Sequence, residues 1–182
     1  MSRLILITGG ARSGKSSFAQ KIAESFKAKV VYIATAAPLD SEMKKRIKLH
    51  RKLRDKSWLT IEEPVDVLTA VKKIPKDREV VVLDCLTLLI SNLMLAGYKD
   101  SVIYNEIKSV AKALKKRFKV SIAITNEVGS GIVPDNEMAR RFRDLQGRVN
   151  QIISEEADSI YLLVSGIPIK IKGGKEYAEK LK

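Results

Sequence analysis

The run Gly9-Gly10-Ala11-Arg12-Ser13-Gly14-Lys15-Ser16 fits the pattern G-x-x-x-x-G-K-[ST] without a mismatch. Its residue types share one chemistry. Glycines let the backbone curl until successive N–H groups point inward at phosphate oxygens. A helix opening at the lysine adds the partial positive charge of its N-terminus. Lys15 has the length to reach β- and γ-phosphates, and the Ser16 hydroxyl is a ligand type for Mg²⁺. The competing reading is a glycine-rich turn in which Lys-Ser occurs by accident. The motif needs a strand before it and a helix after it, and the apolar pattern predicts both, at Leu4–Ile7 and Lys15–Phe26. The spacing therefore predicts nucleotide-phosphate binding and leaves the reaction open.

Val80-Val81-Val82-Leu83-Asp84 supplies the natural second half. An acid at the carboxyl end of a buried strand suits a Walker B role, holding Mg²⁺ directly or through water. The alternative is an N-cap for the helix predicted over Leu86–Leu95. Cys85 beside it reads as a small buried residue. No N-K-x-D guanine signature is present, and Thr125-Asn126-Glu127-Val128, after a strand, lacks its Lys and Asp. Guanine, if bound, is read by other groups.

His50 is the single histidine, within Arg46-Ile47-Lys48-Leu49-His50-Arg51-Lys52-Leu53-Arg54. On a helix Arg46 and Arg54 share its face. Two readings compete. In one, His50 extends the Met43–Ile47 stripe and is half-buried packing. In the other, an imidazole among arginines attacks a nucleotide phosphorus while the guanidiniums hold the phosphates and neutralise developing charge. Chemistry alone favours the packing reading.

The elements that must position these residues alternate regularly. Strands are predicted at Leu4–Ile7, Val30–Ile33, Leu59–Ile61, Val80–Leu83 and Val120–Ile124, with a closing hairpin, Ile160–Val164 and Ile167–Ile171, turned at Ser165-Gly166. Helices are predicted at Lys15–Phe26, Asp40–Arg54 with Asp40 as N-cap, Val65–Lys73, Leu86–Leu95, Ser101–Phe118 and Asn136–Ala157, the last broken near Gly147. This rhythm predicts an α/β, P-loop NTPase-like fold: a mostly parallel central sheet, helices on both faces and a C-terminal β-hairpin that completes the sheet and not the site. Residues 1–182 read as one domain, with 173–182 a basic, fraying tail.

The chain has 182 residues, and 34 Lys+Arg against 21 Asp+Glu give a net charge of +13. That surplus favours anionic partners. One cysteine excludes an internal disulfide framework and fits a reducing cytoplasm, and one histidine with one cysteine argues against structural zinc. The longest apolar tract, Val80 to Ala96, is interrupted by Asp84, Ser91 and Asn92 and is too short to span a bilayer, so a soluble protein is expected.

Several separated blocks together resemble the bifunctional adenosylcobinamide kinase / adenosylcobinamide-phosphate guanylyltransferase family of cobalamin biosynthesis. They are ITGGARSGKS (Ile7–Ser16), YIATA (Tyr32–Ala36), the stretch from Asp40 through His50-Arg51 to Arg54, Trp58–Glu62, LDCLTLLISNL (Leu83–Leu93), TNEVGSGIVP (Thr125–Pro134), RRFRDLQGRVNQ (Arg140–Gln151) and VSGIPIKIK (Val164–Lys172). The resemblance implies phosphorylation of adenosylcobinamide by ATP or GTP. It then implies GMP transfer from GTP through a covalent GMP-histidine to adenosylcobinamide phosphate, giving adenosylcobinamide-GDP and pyrophosphate. The family histidine falls on His50, which reverses the preference above. The resemblance places nucleotide contacts at Gly9–Ser16, at Ala34, Thr35 and Ala36, at Arg51, Lys52, Leu53 and Arg54, and at Glu62 and Asp84. Mg²⁺ falls to Ser16 and Asp84. For Glu62 the alternative is a solvated surface acid. Arg140, Arg141, Arg143 and Arg148 are candidates for phosphate or subunit contacts, against a solvated basic face. The family also implies a homo-oligomer, a trimer. Two rival functions stay in view: a monofunctional P-loop kinase of a small alcohol, which makes His50 dispensable, and a nucleic-acid-associated ATPase drawn by the charge. Low aromatic content, 5%, opposes the second.

Overall fold

A computed structural model of the chain describes residues 2–38 and 40–173. In chain order the elements are β1 (Arg3–Gly9), α1 (Lys15–Ser25), β2 (Val30–Ala34), α2 (Ser41–Leu53), β3 (Leu59–Glu62), α3 (Val67–Lys73) and β4 (Val80–Asp84), followed by α4 (Leu86–Leu95), α5 (Asp100–Arg117), β5 (Val120–Ile124), α6 (Glu137–Glu156), β6 (Ser159–Val164) and β7 (Ile167–Lys172). The seven strands form one sheet in the order β3-β2-β4-β5-β1-β6-β7. Every neighbouring pair is parallel except the β6–β7 hairpin.

The strand sequences explain the burial. β2 (VVYIA) and β5 (VSIAI) are buried along their whole length, as Val/Ile-rich strands are when both faces of a parallel sheet are covered. Successive side chains go to opposite layers. Leu4, Leu6, Val31 and Ile33 join a core with residues of α3, α4, α5 and α6, whereas Ile5, Ile7, Val30 and Tyr32 join a core with α1 and Trp58. The fold class and the closing hairpin agree with the sequence pattern.

Two details differ, and one lies beyond view. α6 runs unbroken through Gly147 because buried Leu145, Gln146, Val149 and Ile153 anchor both sides, and the glycine itself faces open space. α3 opens at Val67, after Asp66 accepts from the Thr69 N–H and Glu63 takes the N–H groups of Val65 and Asp66. The fraying expected of 173–182 falls, from 174 onward, outside the described residues. Among the described residues no helix is long and apolar enough to cross a membrane.

Candidate active site

The predicted loop lies between β1 and α1, and local geometry accounts for its glycines. Gly14 caps α1 at φ 93°, in the left-handed region that favours glycine. At Gly9, φ is 142° and a Cβ would come 2.4 Å from the Leu163 carbonyl oxygen, so no side chain fits. Lys15 is buried, with its Nζ donating to Gly9 O at 3.0 Å and to the Gly10 carbonyl. Burial pushes this ammonium below the ordinary lysine range, opposed by the neighbouring Asp84 carboxylate. The β6–β7 turn packs on the loop, where Gly166 N–H donates to Ser13 O at 3.1 Å. The hairpin therefore supports the site as well as completing the sheet, which corrects the expectation for it.

Asp84 ends β4 at the same sheet edge. Its Oδ2 accepts from Ser16 Oγ at 2.8 Å and from the Tyr32 hydroxyl. The helix-cap alternative fails, because the N-cap of α4 is Cys85 and no side chain, Asp84 included, caps its first N–H groups. A hydroxyl and a carboxylate brought together are hard oxygen donors that suit Mg²⁺, which takes one or two protein ligands and completes its shell with phosphate and water. Tyr32 lies in the middle of β2 with its ring stacked on Trp58, centroids 6.3 Å apart. Burial, then the Asp84 charge, raises its pKa far above the phenol range, so it stays a donor. Arg54 covers the other contact of the ring, with Cζ 3.9 Å from the centroid. Its Nε and Nη1 are buried and, among the described residues, have no hydrogen-bond partner.

Arg54 is the C-cap of α2, the helix that bears His50. Asp40 caps its start, accepting from the Met43 N–H at 2.7 Å. α2 has no fully buried side chain among those described, and His50 is exposed, so the packing reading does not hold for it. Arg51 donates through Nε to Glu62 Oε1 at 2.7 Å, joining the α2 end to the β3 end. A cleft of about 500 Å³ opens there, lined by Arg51, Arg54, Trp58, Thr60 and Glu62 among others. Its size is that of a small-molecule pocket. Lys52 is exposed, and the Leu53 side chain lies outside the described residues.

The remaining predicted contacts divide. Ala34 is buried and Ala36 half-buried at the β2 edge. Thr35 is fully buried, and its hydroxyl is spent on Cys85, donating to the carbonyl at 2.7 Å and accepting the N–H at 2.8 Å. Its side chain ties β2 to β4. Asn92 of α4 straps the same turn, donating to the carbonyls of Thr35 and Pro64. Arg140 clamps the carbonyls of Pro134 and Asp135, and Arg141 pairs with Asp100. Arg148 donates to Gln151, while Arg143 lies 3.9 Å from Asp144.

Sequence reasoning left Tyr32, Asn92 and Asn150 without a role. Asn150 donates to Glu127 Oε1 and to the Asn126 carbonyl, and accepts from Thr125 and Gln146. Each lies in a block that carried the resemblance, yet strand or helix periodicity reads it as scaffold.

A phosphate loop with its lysine, hydroxyl and acid on the edge of a parallel sheet defines a P-loop nucleotide-dependent protein. Solved structures agree at the level of fold. A KaiC-like protein of Pyrococcus horikoshii OT3 superposes with TM-score 0.55 at 15% identity, covering 88% of this chain and 70% of that one. A second protein of that organism gives 0.59 at 14% identity, covering 96% and 88%. The family model described as cobinamide kinase / cobinamide phosphate guanyltransferase matches residues 5–171, and the chain belongs to that family. Relatives named bifunctional adenosylcobalamin biosynthesis protein are CobU of Escherichia coli K12, 40% identical over 181 residues (93% of this chain, 99% of that one), and CobP of Pseudomonas aeruginosa, 36% identical over 168 residues (92% and 96%).

Proposed function

We propose that one sheet edge of this chain performs both family reactions with a shared nucleotide seat and two different attacking groups. In the first, the alcohol of adenosylcobinamide takes the γ-phosphoryl group of ATP or GTP. In the second, His50 attacks the α-phosphorus of GTP and pyrophosphate leaves. The phosphate of adenosylcobinamide phosphate then displaces His50, and adenosylcobinamide-GDP forms. Splitting one difficult displacement into two is the gain of a covalent route.

One observation carries this reading. The hydrogen-bonded path Ser16–Asp84–Tyr32, capped by Arg54 on the Tyr32 ring, joins the P-loop to the end of the helix that bears His50. The N–H groups of Gly9–Ser16 and the Lys15 ammonium bind the triphosphate. Ser16 and Asp84 would hold Mg²⁺, which supplies charge neutralisation on the phosphates. Arg51, Arg54 and Glu62 line the cleft offered to the guanylyl group, and the orphaned guanidinium N–H groups of Arg54 suit a phosphate there. Contact at Ala34, Thr35 and Ala36 is through backbone, since the Thr35 hydroxyl is engaged. Lys52 and Leu53 stay in the proposal on their position alone.

A homo-oligomer, a trimer by family resemblance, belongs to the same proposal. Ile167, Ile169 and Ile171 on edge strand β7 are 65%, 47% and 60% exposed and give a second copy an apolar stripe to cover. A cytoplasmic setting fits the single cysteine, which is buried.

The test is product analysis. Purified protein with adenosylcobinamide, ATP, GTP and Mg²⁺ is expected to yield first the phosphate and then the GDP derivative by mass spectrometry. Accumulation of the phosphate alone selects the monofunctional kinase. No corrinoid product, with steeply salt-dependent DNA binding, selects the nucleic-acid ATPase.

A further inference from the structure

The sheet edge holds a second carboxylate that the account above leaves without work. Glu127 follows β5, the strand lying between β4 with Asp84 and β1 with the phosphate loop. Its position is fixed from three sides. The Glu127 N–H donates to Gly9 O at 3.2 Å, the same carbonyl that receives Lys15 Nζ at 3.0 Å. Glu127 and the lysine that serves the γ-phosphate thus meet on one oxygen. Thr8 Oγ1 donates to Glu127 Oε1 at 2.6 Å, and Asn150 Nδ2 donates to the same oxygen at 3.1 Å. Asn150 is itself held by Thr125 and by Gln146, which is fully buried. Both side-chain bonds fall on Oε1. Among the described residues none falls on Oε2, and the residue is exposed at the mouth of the site.

Such a group is oriented by a rigid network yet keeps one oxygen for a visitor. The geometry points to Glu127 as the catalytic base of the phosphorylation step, an assignment that rests on the kinase half of the proposed function. The alcohol oxygen of the substrate forms a bond to the γ-phosphorus. The bond from that phosphorus to the β,γ-bridging oxygen breaks, its electron pair leaving with the nucleoside diphosphate. The alcohol proton passes to Glu127 Oε2. Asp84 also takes both its hydrogen bonds on one oxygen, but with Ser16 it is the pair that would hold Mg²⁺, so its carboxylate is committed to the metal and not to the alcohol proton. The guanylyl half needs no such base, because its attacking groups are an imidazole and a phosphate.

That asymmetry gives the test. Glu127→Gln keeps an oxygen for Thr8 and Asn150 and replaces the second oxygen with an amide. In this variant kcat for adenosylcobinamide phosphorylation is expected to fall about 10²- to 10⁴-fold, with KM for the nucleotide changed less than about threefold. Guanylyl labelling from GTP without corrinoid is expected to stay within about twofold of the wild type, which also certifies the fold. A fall in kcat smaller than about tenfold overturns the assignment, as does a parallel loss of both activities, which would mark Glu127 as a support of the phosphate loop. Wild-type protein run alongside separates the two claims: if it cannot phosphorylate the corrinoid, the kinase reading itself falls.

Discussion

Tyr32 joins two halves of the site through opposite ends of one side chain. Its hydroxyl bonds Asp84, and its ring is covered by Arg54 and stacked on Trp58. Tyr32→Phe keeps the ring contacts and removes only the bond. Loss of a buried hydrogen bond to a charged acceptor is expected to cost about 1–3 kcal/mol, read as a lower urea midpoint with an unchanged slope. An unchanged midpoint would mean that this hydroxyl contributes nothing to holding Asp84. At this scale the sequence was readable where a side chain has one chemistry. Lys15 and Ser16 announced themselves by spacing. Asp84 left two readings, which only its partners decide. Tyr32 was hidden because an aromatic on a buried strand reads as core, which it also is. Thr35 carried the opposite ambiguity: a hydroxyl at a strand end can face a ligand or the next strand, and here Cys85 takes it. Burial pushes the Cys85 thiol up to about 12, so it is no nucleophile at neutral pH.

Element boundaries followed from pattern and punctuation. β5 and α4 occupy the residues that apolar runs predict, and Asp40 caps α2 as its type and place suggest. Gly147 misled, because glycine as a helix breaker is a local rule and tertiary anchoring on both sides overrides it. A Cβ there meets nothing within 4 Å. Gly147→Ala is therefore expected to stabilise the protein by about 0.5–1 kcal/mol, seen as a rise in Tm, and a fall would show that α6 bends at that position. α2 stands apart from the other long helices. With no fully buried side chain among those described, it is tied mainly at its ends, by Asp40 and by the Arg51–Glu62 and Arg54–Tyr32 contacts. A helix so lightly packed belongs to the part of a fold that opens most easily. That suits a nucleophile that must meet two partners in turn.

For the whole molecule, the sheet order places the ends of β4, β5 and β1 side by side, and this gathers Asp84, Glu127 and the phosphate loop from distant parts of the chain. Strand ends of a parallel sheet meet at one edge, so their position after predicted strands already directs Asp84 and Glu127 towards the phosphate loop; the strand order that makes the three direct neighbours is visible only in the fold. Closure of the fold depends on a charge as well. Asp158 accepts from the Leu4 N–H at 2.8 Å and from Lys115 at 3.0 Å, pinning α6's exit to β1 and α5. Burial acts to raise its pKa, but the Leu4 N–H and Lys115 outweigh it and hold the carboxyl below its ordinary range. A carboxyl with a lowered folded pKa adds stability that is complete above its unfolded value, about 3.9, and disappears as the pH falls through the folded value. Asp158→Asn is thus expected to be less stable than the wild type at pH 7. The difference in urea midpoint should shrink as the pH drops below about 4. A gap independent of pH would assign the effect to shape and not to charge.

The central claim is that His50 carries the guanylyl group. The most direct measurement incubates the protein with GTP labelled in the α-phosphate and maps the adduct by acid lability, base stability and peptide mass. The account predicts label on His50, absent in His50→Ala while Mg²⁺-nucleotide binding persists, and lost with both activities in Lys15→Ala. Label that survives in His50→Ala, or full transfer of GMP by that variant, would contradict it.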